Sequence, residues 1–277
     1  MVNLTHTLST LITANHILDY HGICDAFGHI SVRNPLNNNT FYLSGYLAPG
    51  LVSSPADLIE YYVANGSAVD PNAGRGYVER YIHSEILKRF PEQNCVIHAH
   101  AEAIVPYTIT TVKTQSAYHM AGFLGQQVPN YDIKDYYNDT QTHDMLVRNS
   151  PLGAALGELF HSPSNTTNTT SIDHPLVLMR GHGFTTVDSS IETAVYRAFY
   201  AQANARIQTT AIGLASAFGS QGTIDYLSER EQLDTSVWNQ ALWDKPWLLW
   251  VRQVERSPVY DNSLGPLVTN TSGATGT

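Results

Sequence analysis

Short runs typical of buried β-strands alternate along this chain with longer segments of helical periodicity. Runs rich in β-branched and apolar residues lie at positions 29–33, 40–43, 95–100, 176–179 and 184–187. A further pair, 58–63 and 67–69, flanks Asn65 and Gly66, which is a hairpin signal. Apolar residues follow a helical period at positions 4–20, 78–90 and 190–217. Because these elements are interspersed and no repeat or linker separates two cores, the pattern predicts one α/β domain.

Capping and composition signals set the limits of the longest helix and of the domain. Ser189 stands three residues before Glu192, the spacing of a capping box, and predicts the start of the long helix. The Asn- and Thr-rich stretch 162–173 predicts a surface loop. The last residues are small and polar and predict partial disorder. We therefore place the domain at residues 1–257 and a partly disordered tail at 258–277.

The balance of charge limits the class of partner. The 277 residues include 15 Lys and Arg against 24 Asp and Glu, a formal net charge of −9. Nucleic-acid backbones and anionic membranes attract basic surfaces, so this composition predicts neither as a partner. No apolar run reaches the roughly 18 residues that a transmembrane helix requires. These two classes of partner are therefore not expected, and a small-molecule partner remains open.

Cysteine content and glycosylation sequons bear on the compartment. The chain has 2 cysteines, too few for a disulfide framework or a cysteine-rich metal site. The first residues lack the apolar centre of a signal peptide, which favours a cytoplasmic protein. A secreted protein remains the alternative because Asn-X-Ser/Thr sequons occur at Asn3, Asn38, Asn65, Asn138, Asn165, Asn168 and Asn270.

Histidines in two places suggest a metal site. His98 and His100 lie two positions apart on a predicted strand, so both side chains leave the same face. That pair alone is equally consistent with packed core histidines. His182 lies between Gly181 and Gly183 after an apolar run, where glycines let the backbone approach a ligand closely. Three imidazoles with an open fourth position are typical of a catalytic metal site, although they suit zinc, iron, copper and nickel alike.

An acidic residue precedes this pair on the predicted helix. Glu79 lies 19 residues before His98 and could act as a fourth ligand or as a general base. The alternative is an exposed glutamate that stabilises the start of the helix. His83, one turn later, could be a neighbour of Glu79 or a surface histidine.

Four motifs in order resemble one known family. The motifs are similar to those of the class II aldolase/adducin family. They are Gly-His-Ile-Ser-Val-Arg at 28–33, Ser44-Gly45, Glu79 followed by His98-Ala-His100, and Gly-His182-Gly-Phe. The resemblance implies a three-layer α/β/α domain with a central, largely antiparallel sheet. It implies a homotetramer with active sites at subunit interfaces. It also implies a divalent metal, most often zinc with manganese, cobalt or iron as alternatives, held by His98, His100 and His182, and a catalytic Glu79.

Departures from the sugar-phosphate aldolases of that family point to a different substrate. His29 replaces an Asn of those aldolases, and Tyr77-Val78 replaces their Ser-Ser pair, although Ser44-Gly45 is kept. These changes remove small donors for a phosphate and add aromatic surface. The resemblance therefore favours His29, Ser44, Gly45 and Tyr77 as substrate-binding residues.

Two further segments, 79–86 and 119–125, are similar to the branch of the family that includes decarboxylases of hydroxylated aromatic acids. In that branch His119 and Tyr131 would line the site with His29, and we assign the first two as catalytic candidates beside Glu79. Packed or surface positions remain the alternative for all three.

The combined pattern predicts a metal-dependent carbon–carbon lyase. The first hypothesis is a decarboxylase of a hydroxylated aromatic, keto or hydroxy acid, in which a metal stabilises the enolate-like charge left by cleavage. The second is an aldolase for a non-phosphorylated aldehyde or ketone. An epimerase, a dehydratase or an iron-dependent oxygenase on the same scaffold also remains open. A hypothesis of a different class is an adducin-like binding protein without catalysis, in which we would expect the metal histidines to be lost.

Overall fold

A computed structural model of the chain describes residues 3–140, 142–162, 165, 167 and 170–267. Seven strands form one sheet: β1 His29–Arg33, β2 Thr40–Ser44, β3 Leu58–Tyr62, β4 Cys95–Ala99, β5 Asn130–Tyr131, β6 Leu176–Met179 and β7 Gly183–Asp188. The α-helices are α1 Leu4–Tyr20, α2 Arg80–Arg89, α3 Val105–Thr108, α4 Ser150–Glu158, α5 Ile191–Ala217, α6 Glu229–Ala241 and α7 Asp244–Glu255. No helix among the described residues is long and apolar enough to cross a membrane.

The sheet is mixed but mostly antiparallel. Its strand order is β3-β2-β1-β4-β7-β6-β5, and only the β5–β6 pair is parallel. β4 lies at the centre, antiparallel to β1 on one side and to β7 on the other. The register of these pairs places His98 of β4 opposite His29 of β1. The strands β1, β4 and β7 therefore lie in the interior of the sheet, away from its two edges.

Both faces of the sheet are covered by helices. On one face α1, α5 and α7 share a core with alternate residues of β1 and β4, which includes Ile17, Ile97 and Trp250. On the other face α2 and α4 pack on a second core, which includes Ile86 and Val96. This arrangement confirms the predicted three-layer α/β/α domain with a largely antiparallel sheet.

Several element boundaries differ from the sequence prediction. The long helix is capped by Ser190, whose side chain accepts the N–H of Thr193, and not by Ser189. The expected hairpin at Asn65 and Gly66 forms, since the N–H of Tyr62 donates to the Ser67 oxygen and Ala68 bridges to Tyr61, but its second half is too short to count as a strand. Sequence reasoning did not identify β5, which has two residues, or α4, α6 and α7.

The first part of the expected tail contacts the domain. Asn262 donates to the backbone oxygen of Ser9 over 3.0 Å, and the Tyr260 hydroxyl donates to Asp19 over 2.7 Å. Both acceptors belong to α1. Residues 268–277 lie outside the described residues, so the division at residue 257 stays a prediction.

Packing of α4 on α2 generates a stability prediction. A Cβ on Gly153 would collide with the backbone oxygen of Tyr81, whereas a Cβ on the exposed Gly213 of α5 would meet nothing within 4 Å. We expect Gly153→Ala to lower the free energy of unfolding by about 1–3 kcal/mol through overpacking. Gly213→Ala should raise it by up to about 1 kcal/mol, the helix-propensity difference. Urea denaturation measures both, and equal effects would contradict this account of the α2–α4 contact.

Candidate metal centre

His98, His100 and His182 are brought together by strand pairing and one tight turn. His98 lies on β4 and His100 directly follows it, while His182 lies in the turn between β6 and β7. Gly183 has a φ of +155°, and a Cβ there would collide with the backbone oxygen of Ala99. This glycine lets the β6–β7 turn approach the end of β4, which places His182 beside the other two imidazoles.

The four expected metal-site side chains converge. The Nε2 atoms of His98 and His100 are 3.0 Å apart, and the ring centroid of His182 lies 4.7 Å from that of His98. Oε2 of Glu79 lies 3.7 Å from Nε2 of His98 and 3.8 Å from Nε2 of His182. One ligand atom from each of the four residues lies within 4.8 Å of all the others. The side chains can therefore meet at a single ion.

Partners of the other ring nitrogens orient two of the imidazoles. Nδ1 of His98 lies 3.1 Å from the backbone oxygen of Phe184, so this nitrogen donates and Nε2 is left with its lone pair. Nδ1 of His100 lies 3.1 Å from Oδ2 of Asp25. Carboxylate and carbonyl partners of this kind set the tautomer of metal-binding histidines. Both Nε2 atoms are thus presented to the cluster as acceptors.

Burial keeps His98 and His182 neutral. It lowers the pKa of His98 well below its ordinary value, and the neighbouring His182 and His100 lower it further. Burial, with the proximity of His100, lowers the pKa of His182 to about 4. Neutral imidazole is the form that binds metal ions.

Glu79 is buried at the start of α2, with a side chain only 5% exposed. The alternative of an exposed glutamate at a helix start is therefore wrong. Oε1 accepts the backbone N–H of Val147 over 3.0 Å, which leaves Oε2 facing the histidines. Burial raises the pKa of Glu79 to about 7, although the Val147 N–H and the charge of Arg148 oppose the rise.

The donor set fits a divalent ion. Three imidazole nitrogens and one carboxylate are ligands that zinc and related ions accept, and a buried carboxylate gains from a neighbouring cation. His98, His100 and His182 would hold the ion, with Glu79 beside it. The identity of the metal belongs to the proposals below.

The predicted substrate residues His29, Tyr77 and Ser44 lie together next to this cluster. The ring centroid of His29 is 5.1 Å from that of His98 and 4.5 Å from that of Tyr77. The Tyr77 hydroxyl donates to the backbone oxygen of Leu47 over 2.6 Å. Burial raises the pKa of Tyr77, and the nearby Ser44 side chain opposes the rise. Gly45 follows Ser44 and its N–H donates to the Asp57 backbone.

His119 and Tyr131 occupy different surroundings. Tyr131 is 1% exposed, and its hydroxyl donates to the backbone oxygen of Leu152 in the core beneath α4. His119 is exposed on a short 3₁₀ helix, His119–Leu124, and its backbone oxygen accepts a hydrogen bond from Asn239 of α6. No contact found among the described residues joins either side chain to the metal cluster. Their catalytic assignment stays a prediction.

Sequence reasoning missed two residues that support the site. The Asp25 carboxylate lies within hydrogen-bond distance of the His100 ring and also accepts hydrogen bonds from the N–H groups of Phe27 and Gly28. The last two bonds form a turn, which an Asp three residues before a glycine can indicate. Val147 holds Glu79 through its backbone N–H, which no side-chain pattern reveals.

Comparison with known protein families shows which family the chain belongs to. Residues 9–209 match the family described as Class II Aldolase and Adducin N-terminal domain. The chain belongs to this family. The resemblance found in the four sequence motifs is thereby confirmed.

Individual relatives and solved structures agree with this assignment. The chain is similar to Decarboxylase tropJ of Talaromyces stipitatus, with 46% identity over 257 residues that cover 91% of this chain and 96% of the relative. It is 28% identical over 219 residues to a 3,4-dihydroxyphthalate decarboxylase of Arthrobacter keyseri, covering 76% and 82% of the two chains. The structure of an L-fuculose 1-phosphate aldolase from Glaciozyma antarctica PI12 superposes with a TM-score of 0.66 at 16% identity, covering 94% and 93%, and shares the fold.

Removal of one ligand tests the metal centre. We expect His182→Ala to purify with far less bound zinc than the unaltered protein when both are dialysed against the same zinc buffer. His6→Ala, at an exposed histidine of α1, should keep the full metal content. Elemental analysis by mass spectrometry provides the measurement. Full zinc content in His182→Ala, at unchanged affinity, would contradict the assignment of this ligand.

Proposed function

We propose that this chain is a metal-dependent decarboxylase of a hydroxylated aromatic acid. The convergence of three histidines and Glu79 is the observation that carries the proposal, because it supplies a complete site for a divalent ion. The 46% identical relative bears the name of a decarboxylase, and a more distant one is named for a dihydroxylated aromatic acid. Zinc is the proposed ion.

Decarboxylation replaces a C–CO₂⁻ bond with a C–H bond, so it releases CO₂ and consumes one proton. When bound, a divalent ion would supply Lewis-acid stabilisation of the negative charge that the departing CO₂ leaves on the substrate. His98, His100 and His182 would hold that ion. Water exclusion by the surrounding buried residues strengthens these electrostatic interactions.

Glu79 is the proposed source of the proton. One of its oxygens is anchored on the Val147 N–H, and the other faces the histidines from 3.7–3.8 Å. A carboxylic acid held in this way can protonate the carbon that loses CO₂ and recover its proton from water. His119 and Tyr131 remain proposed contributors only.

The surroundings of the cluster favour an aromatic acid over a sugar phosphate. Tyr77 is 5% exposed and fills the space beside His29 with a ring whose hydroxyl already donates to Leu47. Small donors that could converge on a phosphate are therefore missing at positions 77 and 78. An aldolase acting on a non-phosphorylated aldehyde or ketone is the second candidate, favoured by the fold it shares with an aldolase.

The family also contains adducin-type proteins, so the alternative of a binding protein without catalysis has to be weighed against the enzyme. The chain keeps the complete set of three histidines and the glutamate, and it brings them together. Such a set has no structural purpose in a scaffold whose two cores are already well packed. These observations favour the enzyme.

Four copies of the chain are the proposed assembly, in a cytoplasmic setting. Apolar side chains of α6 support association, since Leu233, Val237 and Trp238 are 60–69% exposed. Large exposed apolar surfaces of this kind mark interaction sites. The molar mass measured by light scattering tests the tetramer.

A screen for CO₂ release tests the reaction. We expect the zinc-loaded protein to release CO₂ from at least one acid of a panel that includes 3,4-dihydroxyphthalate and 3,4-dihydroxybenzoate. Treatment with a chelator should abolish release, and added zinc should restore it, because the charge stabilisation depends on the ion. Manometry or coupled CO₂ detection follows the reaction. Preferential cleavage of a ketose phosphate over every acid of the panel would replace the decarboxylase with an aldolase.

Substitution of Glu79 separates proton transfer from metal binding. Glu79→Gln keeps the shape and removes the acid, so we expect kcat to fall by about 10²–10⁴ while the zinc content stays near that of the unaltered protein. Glu92→Gln, at an exposed glutamate, is the matched control and should keep full activity. Unchanged turnover in Glu79→Gln would assign the proton transfer to another residue.

A further inference from the structure

Ser31, His83 and His29 form a line of hydrogen-bonding side chains that leads to the metal cluster. Oγ of Ser31 lies 2.6 Å from Nδ1 of His83. Nε2 of His83 in turn lies 2.7 Å from Nδ1 of His29. The ring of His29 then lies 5.1 Å, centroid to centroid, from that of the proposed ligand His98. Neither Ser31 nor His83 belongs to the four residues of the metal centre.

Local structure explains why these three side chains align. His29 and Ser31 are two positions apart on β1, so they leave the same face of the sheet. α2 covers that face and places His83 above them. All three side chains are completely buried, with 0% exposure. Most buried polar atoms in proteins have a hydrogen-bond partner, so the direction of each bond in this line can be argued from the partners present.

The arrangement allows only two directions for the hydrogen bonds. At 2.7 Å, one of the two facing nitrogens of His83 and His29 must carry the hydrogen and the other the lone pair, and the 2.6 Å contact with Ser31 fixes the other nitrogen of His83 in the same way. In the first direction Ser31 donates to His83, His83 donates from Nε2 to His29, and His29 carries its hydrogen on Nε2. In the second direction every donor and acceptor is exchanged.

The buried serine decides between the two directions. Among the described residues, His83 is the one hydrogen-bond partner found for the Ser31 hydroxyl. If His83 donated to Ser31, the hydroxyl hydrogen of this fully buried serine would lack an acceptor, which is destabilising in a buried environment. If Ser31 donates, every atom between Ser31 and Nδ1 of His29 is satisfied.

The far end of the line is the Nε2 atom of His29. It is buried, and no hydrogen-bond partner is found for it among the described residues. The ring that carries it lies 5.1 Å from that of His98 and 4.5 Å from that of Tyr77, centroid to centroid, so it adjoins the proposed metal centre. An N–H at this place would suit a hydroxyl, phenolate or carboxylate oxygen, each of which accepts a hydrogen bond.

We infer that Ser31 and His83 are positioning residues that hold His29 with its hydrogen on Nε2, so that this N–H donates to an oxygen of the substrate beside the metal centre. The part that concerns the substrate rests on the proposed function. The direction of the Ser31–His83–His29 line does not depend on it. The line would favour acids that carry an oxygen at this position over analogues that lack it.

Nitrogen NMR of the full chain labelled with ¹⁵N-histidine tests the direction. Long-range ¹H–¹⁵N spectra distinguish protonated from unprotonated ring nitrogens, and His29→Gln and His83→Gln variants assign the signals. We expect both rings to be protonated at Nε2 and unprotonated at Nδ1. Protonation at Nδ1 in both rings, or a mixture of the two forms, would overturn the inference. This measurement needs neither substrate nor turnover.

A pair of serine variants tests whether Ser31 sets the direction. Ser31→Ala removes the donor, so we expect both rings to change to a mixture of the two protonated forms. Ser84→Ala is the matched control, because Ser84 is equally buried on α2 and makes no hydrogen bond in this line. Unchanged single forms in Ser31→Ala would show that another group sets the direction and would contradict the inference.

The contact with the substrate requires a third measurement. Each acid of the panel used in the CO₂ screen is titrated into the zinc-loaded protein, and the tightest binder by calorimetry is kept. We expect it to shift the proton on Nε2 of His29 and to bind about tenfold more weakly to Ser31→Ala than to Ser84→Ala. Binding without a shift of this proton would overturn the contact. If no acid of the panel binds, the contact falls with the proposed function, whereas the tautomers remain a separate result.

Discussion

The antiparallel pairing of β4 with β1 and β7 is the constraint on which the rest of the structure depends. It sets His98 opposite His29 on one side, and on the other it brings the β6–β7 turn up to the end of β4. That approach is possible because Gly183 has no side chain to meet the Ala99 oxygen. A larger residue would push the turn away and separate His182 from its two partners. One backbone contact thus decides whether three distant segments form a single site.

Burying several imidazole rings costs free energy unless their nitrogens are hydrogen-bonded, and neighbouring groups supply partners for them. Each neutral ring needs partners for its nitrogens, since an unsatisfied buried polar group is destabilising. Phe184 supplies a carbonyl to His98, Asp25 supplies a carboxylate to His100, and His83 supplies a ring nitrogen to His29. The same contacts orient the rings. Stability and function therefore depend on the same hydrogen bonds, and a variant that removes one of them is expected to affect both.

Local sequence patterns predicted the elements that short windows of residues determine. They did not predict the features that depend on tertiary contacts. Strand β1 and helix α1 were predicted to the residue, because alternation and helical periodicity are properties of short windows. Ser190 rather than Ser189 caps α5, a choice between neighbours that depends on how the chain leaves β7. The role of Asp25 could not be read from a pattern, since it lies 75 positions from its partner His100. Strand β5 has two residues, too few for any periodicity.

The charges around the site support the pairing of an acid with a divalent ion in the proposed function. The Asp25 carboxyl, although burial alone would raise its pKa, has a pKa below its ordinary value because the Phe27 N–H and His100 stabilise the charged form. Glu79 adds a second carboxyl group, and His98 and His182 are neutral. Without a cation, this set would repel a substrate carboxylate. In the proposed function, a bound divalent ion would reverse the sign of the local field, so the acid would bind after the metal. Under this proposal, selection of the substrate would begin with the three histidines that would hold the ion, and the rings of His29 and Tyr77 would then act on the acid that this charge attracts.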